Sequence, residues 1–253
     1  MKPREFHIWQ FPEDKIKVLF NEHGQFIDKS IKHFGSQKAL AEFLEISEKN
    51  IFHWKRHPLY ISLKHVGKIV KECKLDWTKV EKEIISYKGI NTSTPIFNPK
   101  LPIKETPDIF ALITHIICDG SVNKNGIPIY TNSNKNLINN MESILKTGFG
   151  DMKNKLYFGS GINKNCYDFR FPKIIKELLE YFYKIRLYKA NRFPIELMKL
   201  PRKFSISVIR AFGDDEGWID LNRRIGFTSI NKELLETLIG LLREKLNYEN
   251  ISK

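Results

Sequence analysis

The chain reads as α+β: a small helical module, then a larger pseudo-symmetric domain of helices and hairpins. Three features carry that reading: an internal repeat, a pair of short amphipathic helices near the N-terminus, and alternating strands late in the chain. The repeat joins two apolar runs, Leu112 to Gly120 (LITHIICDG) and Ile209 to Gly217 (IRAFGDDEG), each ending in an acid followed by glycine. An ungapped offset of 97 residues maps Asp119 to Glu216 and Gly120 to Gly217. The same offset maps Thr131 to Thr228, Asn134 to Asn231, Lys135 to Lys232, Leu137 to Leu234 and Leu145 to Leu242. A register held over that length predicts two copies of one supersecondary unit.

In chain order, residues 1–24 show no assignable pattern. Residues 25–86 are expected to form a helical domain. Within it, Leu40, Ala41, Leu44, Ile46, Ile51 and Trp54 are spaced as two short helices joined by a tight turn. Ala41 is small where the helices must approach, and Ser47 is placed to cap the second helix. Ile61, Leu63, Val66, Ile69 and Val70 predict a further amphipathic helix. Residues 87–106, rich in Asn, Thr, Ser and Pro (Pro95, Pro99 and Pro102), are expected to be a linker.

Residues 107–253 are expected to hold the repeat, with copy 1 at about 107–200 and copy 2 at about 201–253. Residues 107–119 are apolar at most positions after Asp108, which predicts a helix buried on more than one side. Its partner is 203–216. Each motif precedes a polar hairpin and then a helix, 134–148 in the first copy and 231–246 in the second. Farther on, the alternation predicts that Leu156, Phe158, Tyr167, Phe169 and Phe171 face the core, with Lys155, Tyr157, Asp168 and Arg170 outward. The first hairpin carries Ile127 and Ile129 where the second has Arg224 and Gly226, so a bulge is expected nearby. The offset places the counterpart of Met152 at position 249, so the second copy is expected to be incomplete. A truncated gene, a degenerate regulator or completion by a partner chain would each account for that.

Net charge is +13 and the sequence pI is about 9.5. Residues 1–106 carry +6 and residues 107–253 carry +7. Both parts are therefore basic, which suits a polyanion. The three cysteines, Cys73, Cys118 and Cys166, form no Cys-x-x-Cys pair and read as reduced and intracellular. No apolar run approaches the roughly 20 residues of a membrane span, and Met1 to Glu5 lack a secretory signal. A soluble cytoplasmic protein is expected. His53 and His57 lie four apart without a suitably spaced third ligand, which argues against zinc.

The paired motifs resemble the LAGLIDADG (DOD-type) homing endonuclease family, and Asn98 to Ile103 (NPKLPI) looks like its archaeal-type members. Thr114 and Cys118 stand at positions three and seven of the first nonapeptide, and Asp215 at position seven of the second. The resemblance covers roughly 98–253 and implies an αββαββα fold, here with an incomplete second repeat. In that family the two motif helices lie side by side, and the acids at the eighth positions meet at a site for two or three cations. It implies that Asp119 and Glu216 are the catalytic, metal-binding acids, with Gly120 and Gly217 also in the metal site. The implied cofactor is Mg²⁺ and the implied reaction is hydrolysis of double-stranded DNA. The residues agree, since an acid at a helix C-terminus opposes the helix dipole, and two such acids call for a compensating cation.

Residues 36–54 resemble the helix-turn-helix of the Cro/C1 repressor type, with Glu45 where glycine is usual at the turn. That resemblance implies that Lys49, Asn50, His53 and Lys55 meet DNA from the second helix. Lys155 and Arg170 are further candidates for phosphate contact. Two other functions fit these motifs: a cleavage-deficient transcription regulator on the same scaffold, and an RNA-binding maturase-type splicing factor. Acids retained at both eighth positions favour the nuclease, and the helix-turn-helix disfavours the maturase.

Overall fold

A computed structural model describes residues 3–92, 94–159, 165–184, 186–187, 201–229 and 231–247. The protein is a mixed α+β chain with several small sheets. It divides into two compact units: Phe6–Ile103 together with Phe149–Lys153, and the remainder from Lys104 onward with the first few residues.

The first unit is more than the helical domain and linker expected from the sequence. It contains β1 (Ile16–Phe20), α1 (His23–Phe34), α2 (Gln37–Leu44), α3 (Glu48–Arg56), β2 (Ile61–Ser62), α4 (Leu63–Glu72), α5 (Trp77–Lys82), β3 (Ile84–Gly89) and β4 (Ile96–Phe97). Its sheet has the order β2-β1-β3-β4, and Asp151–Met152 adds a fifth strand beside β4. The segment 1–24, which gave no pattern, thus supplies a central strand. Ile16, Val18 and Phe20 are buried and alternate with less buried Lys17 and Leu19, the signature of a half-covered strand. The segment 87–106, expected to be a linker, carries the end of β3 and all of β4, with Pro95 just before β4 and Pro99 just after it. Proline at the ends of a two-residue strand removes no ladder donor, so it does not exclude the pairing.

The helix-turn-helix spacing is realised by α2 and α3. Leu40, Ala41, Leu44, Ile51 and Trp54 are buried between them and α1. Ser36 caps α2, accepting from the Ala39 amide at 3.1 Å. Ser47 stands at the N-cap of α3, but its side chain makes no capping bond. Leu63, Val66, Ile69 and Val70 form the buried stripe of α4, while Ile61 belongs to β2 instead.

Glu45 takes the left-handed turn conformation usual for glycine (φ 59°, ψ 40°). Its amide donates back to Ala41 and Glu42, and its carboxylate meets Lys68 at 3.1 Å. A Cβ in this region strains the backbone by roughly 1–2 kcal/mol, whereas glycine is unstrained but loses more chain entropy on folding. Glu45→Gly is therefore expected to stabilise the protein by about 0.5–1 kcal/mol, readable as a higher denaturant midpoint. An unchanged or lower midpoint would mean that the lost Lys68 contact outweighs the relief of strain.

The second unit contains α6 (Pro107–Asp119), β5 (Gly120–Val122), β6 (Pro128–Asn132), α7 (Lys135–Phe149, whose last residue belongs to the first unit), β7 (Lys155–Phe158), β8 (Tyr167–Arg170), α8 (Lys173–Tyr183), α9 (Arg202–Glu216), β9 (Gly217–Ile219), β10 (Ile225–Phe227) and α10 (Lys232–Leu246). The 97-residue offset is written into the structure. It carries β5 onto β9 and α7 onto α10, and it preserves each cross-strand pair: Gly120 with Tyr130 becomes Gly217 with Phe227, and Ser121 with Ile129 becomes Trp218 with Gly226. The expected bulge is absent from these hairpins. The buried positions are Pro128 and Tyr130, and Ile129 lies on the opposite face; Ile225 and Phe227 take the same strand positions in the second copy, where Ile225 is exposed. The isoleucines alone left the face open, because a hairpin this short offers only two or three residues per side.

Helix α6 is buried at eight consecutive or nearly consecutive positions from Ile109 to Ile117. It packs along α9, the most extensive contact between elements among the described residues. Sheet β7-β8-β6-β5 places Tyr130, Phe169 and Leu156 on one face, and Ser121, Ile129, Arg170 and Lys155 on the other. Phe169 and Phe171 are buried as expected. Leu156 and Phe158 share their face but stay 46% and 64% exposed, because β7 is an edge strand beyond the cover of the helices.

Candidate functional site

Thr106 caps α6 by accepting from the Ile109 amide, and Pro107 opens the helix where no donor is needed. Thirteen residues later the helix ends at Asp119, and the chain leaves directly as β5. Helix α9 ends the same way at Glu216, running into β9. Gly120 (φ −82°, ψ 147°) and Gly217 (φ −90°, ψ 154°) have matching extended conformations. A Cβ at Gly120 would press on the carbonyl of Ile116, and one at Gly217 on the carbonyl of Gly213, its counterpart by the offset. The two glycines thus let each strand turn tightly off its helix and leave each acid at the helix end.

Both acids are partly buried. Burial raises the Asp119 carboxyl, and the charges of Asp215 and Glu216 raise it further, to about 7, against one hydrogen bond from Asn132 that lowers it. Glu216 is also raised, by burial and then by Asp215, with a hydrogen bond from Ser229 acting the other way. Asn132 and Ser229 are counterparts by the offset, so each acid has one polar neighbour from the same place in its hairpin. Asn132 donates to Asp119 Oδ2 at 3.3 Å. Among the described residues no Lys, Arg or His forms an ion pair with Asp119 or Glu216.

Asp215 lies one residue before Glu216, yet its carboxylate is turned into the protein and is fully buried. It meets His115 Nδ1 at 2.9 Å and accepts from the Tyr130 hydroxyl at 2.7 Å. This explains an acid at an otherwise apolar helix contact: His115 faces it from α6. Asp214 is exposed. Cys118 is half-buried beside three acids, and both effects hold it in the thiol form. Tyr130, Asn132 and Ser229 are site residues that sequence reasoning did not single out. The alignment of Thr131 with Thr228 already brought the two hairpin ends into register and was a pointer to them.

The chemistry of the donors fits a hard divalent cation. Two carboxylates, the charge of Glu216 opposing the ionisation of Asp119 and neither in an ion pair with a cationic side chain among the described residues, are relieved by a metal ion. Among the described residues, no group of three or more His, Cys, Asp or Glu side chains is arranged to hold a metal. Magnesium requires no such cage, since one or two carboxylates supplemented by waters and substrate phosphates suffice.

The raised Asp119 value predicts a pH dependence. The folded protein holds that proton more tightly than the unfolded chain, where the carboxyl titrates near its ordinary value of about 3.9. Between about pH 4 and pH 7 stability falls as pH rises, and above about pH 7 this contribution is flat. Without metal, the melting temperature of the wild type is expected to drop between pH 5 and pH 8 relative to Asp119→Asn. Parallel profiles for the two proteins would contradict the shift.

The DNA-contact candidates fall in two places. On α3, Lys49, Asn50 and Lys55 are exposed and His53 is half-buried. Lys55 bridges Asp28 of α1 at 2.7 Å, and the His53 and His57 rings stand 6.0 Å apart. On the sheet, Lys155 and Arg170 are cross-strand partners. The Arg170 guanidinium lies over the Tyr157 ring at 4.3 Å. Among the described residues no helix is long and apolar enough to cross a membrane. No protein-family model matches the chain, and no curated protein matches it.

Proposed function

We propose that the protein is a DNA-binding, magnesium-dependent endonuclease of the LAGLIDADG type, with an N-terminal helix-turn-helix of the Cro/C1 kind. One observation carries this reading above the others. Two helices related by the 97-residue offset pack along each other and end in Asp119 and Glu216, partly buried acids without an ion-pair partner among the described residues. A solvent-facing structural role would leave such acids near ordinary ionisation. Here their environment opposes ionisation on both sides of the repeat.

When bound, Mg²⁺ would activate a water for in-line attack on phosphorus and stabilise the departing oxygen. Asp119 and Glu216 would hold it. Gly120 and Gly217 allow the close turn that leaves each acid at the end of its helix. Asn132 and Ser229 orient the two carboxylates. Lys155 and Arg170, on the sheet face away from the helices, would neutralise DNA phosphates, and the stack of Arg170 on Tyr157 pre-orders its guanidinium. In the first unit α3 would enter the major groove, presenting Asn50 and Lys49 to base edges or phosphate.

Plasmid DNA incubated with and without Mg²⁺ tests the central claim: cation-dependent linear or nicked product is expected. Binding without cutting would instead support the regulator reading. The helix-turn-helix has its own test. Lys49→Ala is expected to weaken DNA binding and lower the slope of log affinity against log salt by about one unit. Lys55→Ala should do less, because its ammonium is already engaged by Asp28. Fluorescence anisotropy over a salt series would read both. Equal slopes for the wild type and Lys49→Ala would take α3 off the DNA.

A further inference from the structure

We propose that Asp215 is a positioning residue that acts on Asp119 through Tyr130 and Asn132, so that the two acids of the pseudo-symmetric site are not equivalent. The inference rests on the reading of Asp119 and Glu216 as cation ligands, and it deepens that reading.

The repeat supplies an internal control. The offset pairs His115 with Phe212 and Tyr130 with Phe227. The two ring pairs have nearly the same spacing, 5.5 Å between His115 and Tyr130 and 5.7 Å between Phe212 and Phe227. The scaffold therefore accepts an apolar pair at this place, and the polar pair in the first copy is not required by shape. Its polar atoms are matched by Asp215, whose own counterpart is Cys118. The first copy thus has a buried polar chain where the second has two phenylalanines.

That chain leads to one acid only. Asp215 Oδ1 accepts from the Tyr130 hydroxyl at 2.7 Å, and Tyr130 Oη accepts from Asn132 Nδ2 at 3.2 Å. The second hydrogen of Nδ2 goes to Asp119 Oδ2 at 3.3 Å. Asn132 Oδ1 accepts from the Asn134 amide at 2.8 Å, which defines which end of the amide points at Asp119. Every polar group of Asn132 is therefore committed, and a satisfied buried network is rigid. On the other side, Phe227 has no hydroxyl to offer, and among the described residues Glu216 is met by the Ser229 hydroxyl, whose oxygen is backed by the Asn231 amide at 3.3 Å and by no side chain. Among the described residues Asp119 is held by a chain of four linked side chains, and Glu216 by one hydroxyl anchored to the main chain. Two consequences follow: the Asp119 side binds cation more tightly, and loss of the Tyr130 hydroxyl harms that side selectively.

Tyr130→Phe is the decisive variant, because the second copy already carries phenylalanine at this position and the fold tolerates it there. Mn²⁺ binding to the full chain, measured by titration calorimetry, is expected to weaken about tenfold in Tyr130→Phe, the lower end of the effect of a lost partner behind a metal ligand. Asp215→Asn should act in the same direction, and Ser229→Ala should change affinity by less than about threefold. On a labelled DNA duplex, Tyr130→Phe should lower kcat for one strand, accumulating nicked product, with KM for DNA unchanged. Near-ultraviolet circular dichroism and melting would establish that each variant is folded. If Asp119→Asn abolishes Mn²⁺ binding while Tyr130→Phe leaves it within about twofold, or if Ser229→Ala and Tyr130→Phe are equally harmful, the positioning role is overturned and the cation reading stands. If neither Asp119→Asn nor Glu216→Gln alters Mn²⁺ binding, the cation reading itself falls, and the positioning role with it.

Discussion

Asp119→Asn and Glu216→Gln are each expected to abolish DNA cleavage, by roughly 10³-fold or more, while leaving DNA affinity within about twofold. The size of the effect follows from placement. Each substitution keeps the shape and the hydrogen bond from Asn132 or Ser229 but removes the charge that would hold a cation. Affinity should persist because phosphate neutralisation is assigned to other residues, chiefly Lys49, Lys155 and Arg170. Removing one of several mutually repelling carboxylates should also make the metal-free protein more stable at neutral pH, because burial and neighbouring acids oppose ionisation of both groups. A variant that gains stability and loses cutting would have the signature of a residue placed for function at the expense of the fold. Full cutting by either variant, measured with cleavage and binding on the same DNA, would remove these acids from the reaction.

Gly120→Ala and Gly217→Ala should each destabilise the protein by about 1–3 kcal/mol, the usual cost of forcing atoms into a packed site. Both glycines have ordinary negative φ, so what they provide is space. The added methyl would meet the carbonyl four residues back on the same helix, Ile116 in one copy and Gly213 in the other. Relief requires the strand to swing away from the helix end or the helix end to unwind. Either motion displaces the acid immediately before the glycine. Displacement on the order of 1 Å can lower activity about 10²-fold, so catalysis should suffer more than stability. Gly213→Ala is the control, because its Cβ would sit in ordinary contact with Phe227 at 3.6 Å and alanine favours the helix. Thermal melting and cleavage rates on the three variants would test this. Tolerance of alanine at both Gly120 and Gly217 would show that the strands leave their helices by another route.

The repeat, the paired helices and the acids at their ends were legible in the residues alone, because each depends on local pattern. Apolar periodicity over 107–119 specifies a helix buried on several sides, and an ungapped 97-residue register over two hairpins leaves little freedom in how the copies correspond. The two helices at 37–56 were legible for the same reason: Leu40, Leu44, Ile51 and Trp54 form stripes at helical spacing. The sheet of the first unit was not legible. Its strands include Ile61–Ser62, Ile96–Phe97 and Asp151–Met152, too short to show a period, and the last comes from beyond the first repeat helix. Such strands exist only because a partner edge is present, and for Asp151–Met152 that partner lies more than fifty residues away and leaves no local trace. The role of Asp215 was hidden for a related reason. As a sequence feature it was an anomalous acid in an apolar helix contact. Only the packing of α9 against α6 brings it to His115, and only the register of β6 brings Tyr130 to the same carboxylate. Local periodicity therefore decided the helices and the acids at their ends, whereas pairings between distant elements decided the sheet and the hydrogen-bonded chain behind Asp119.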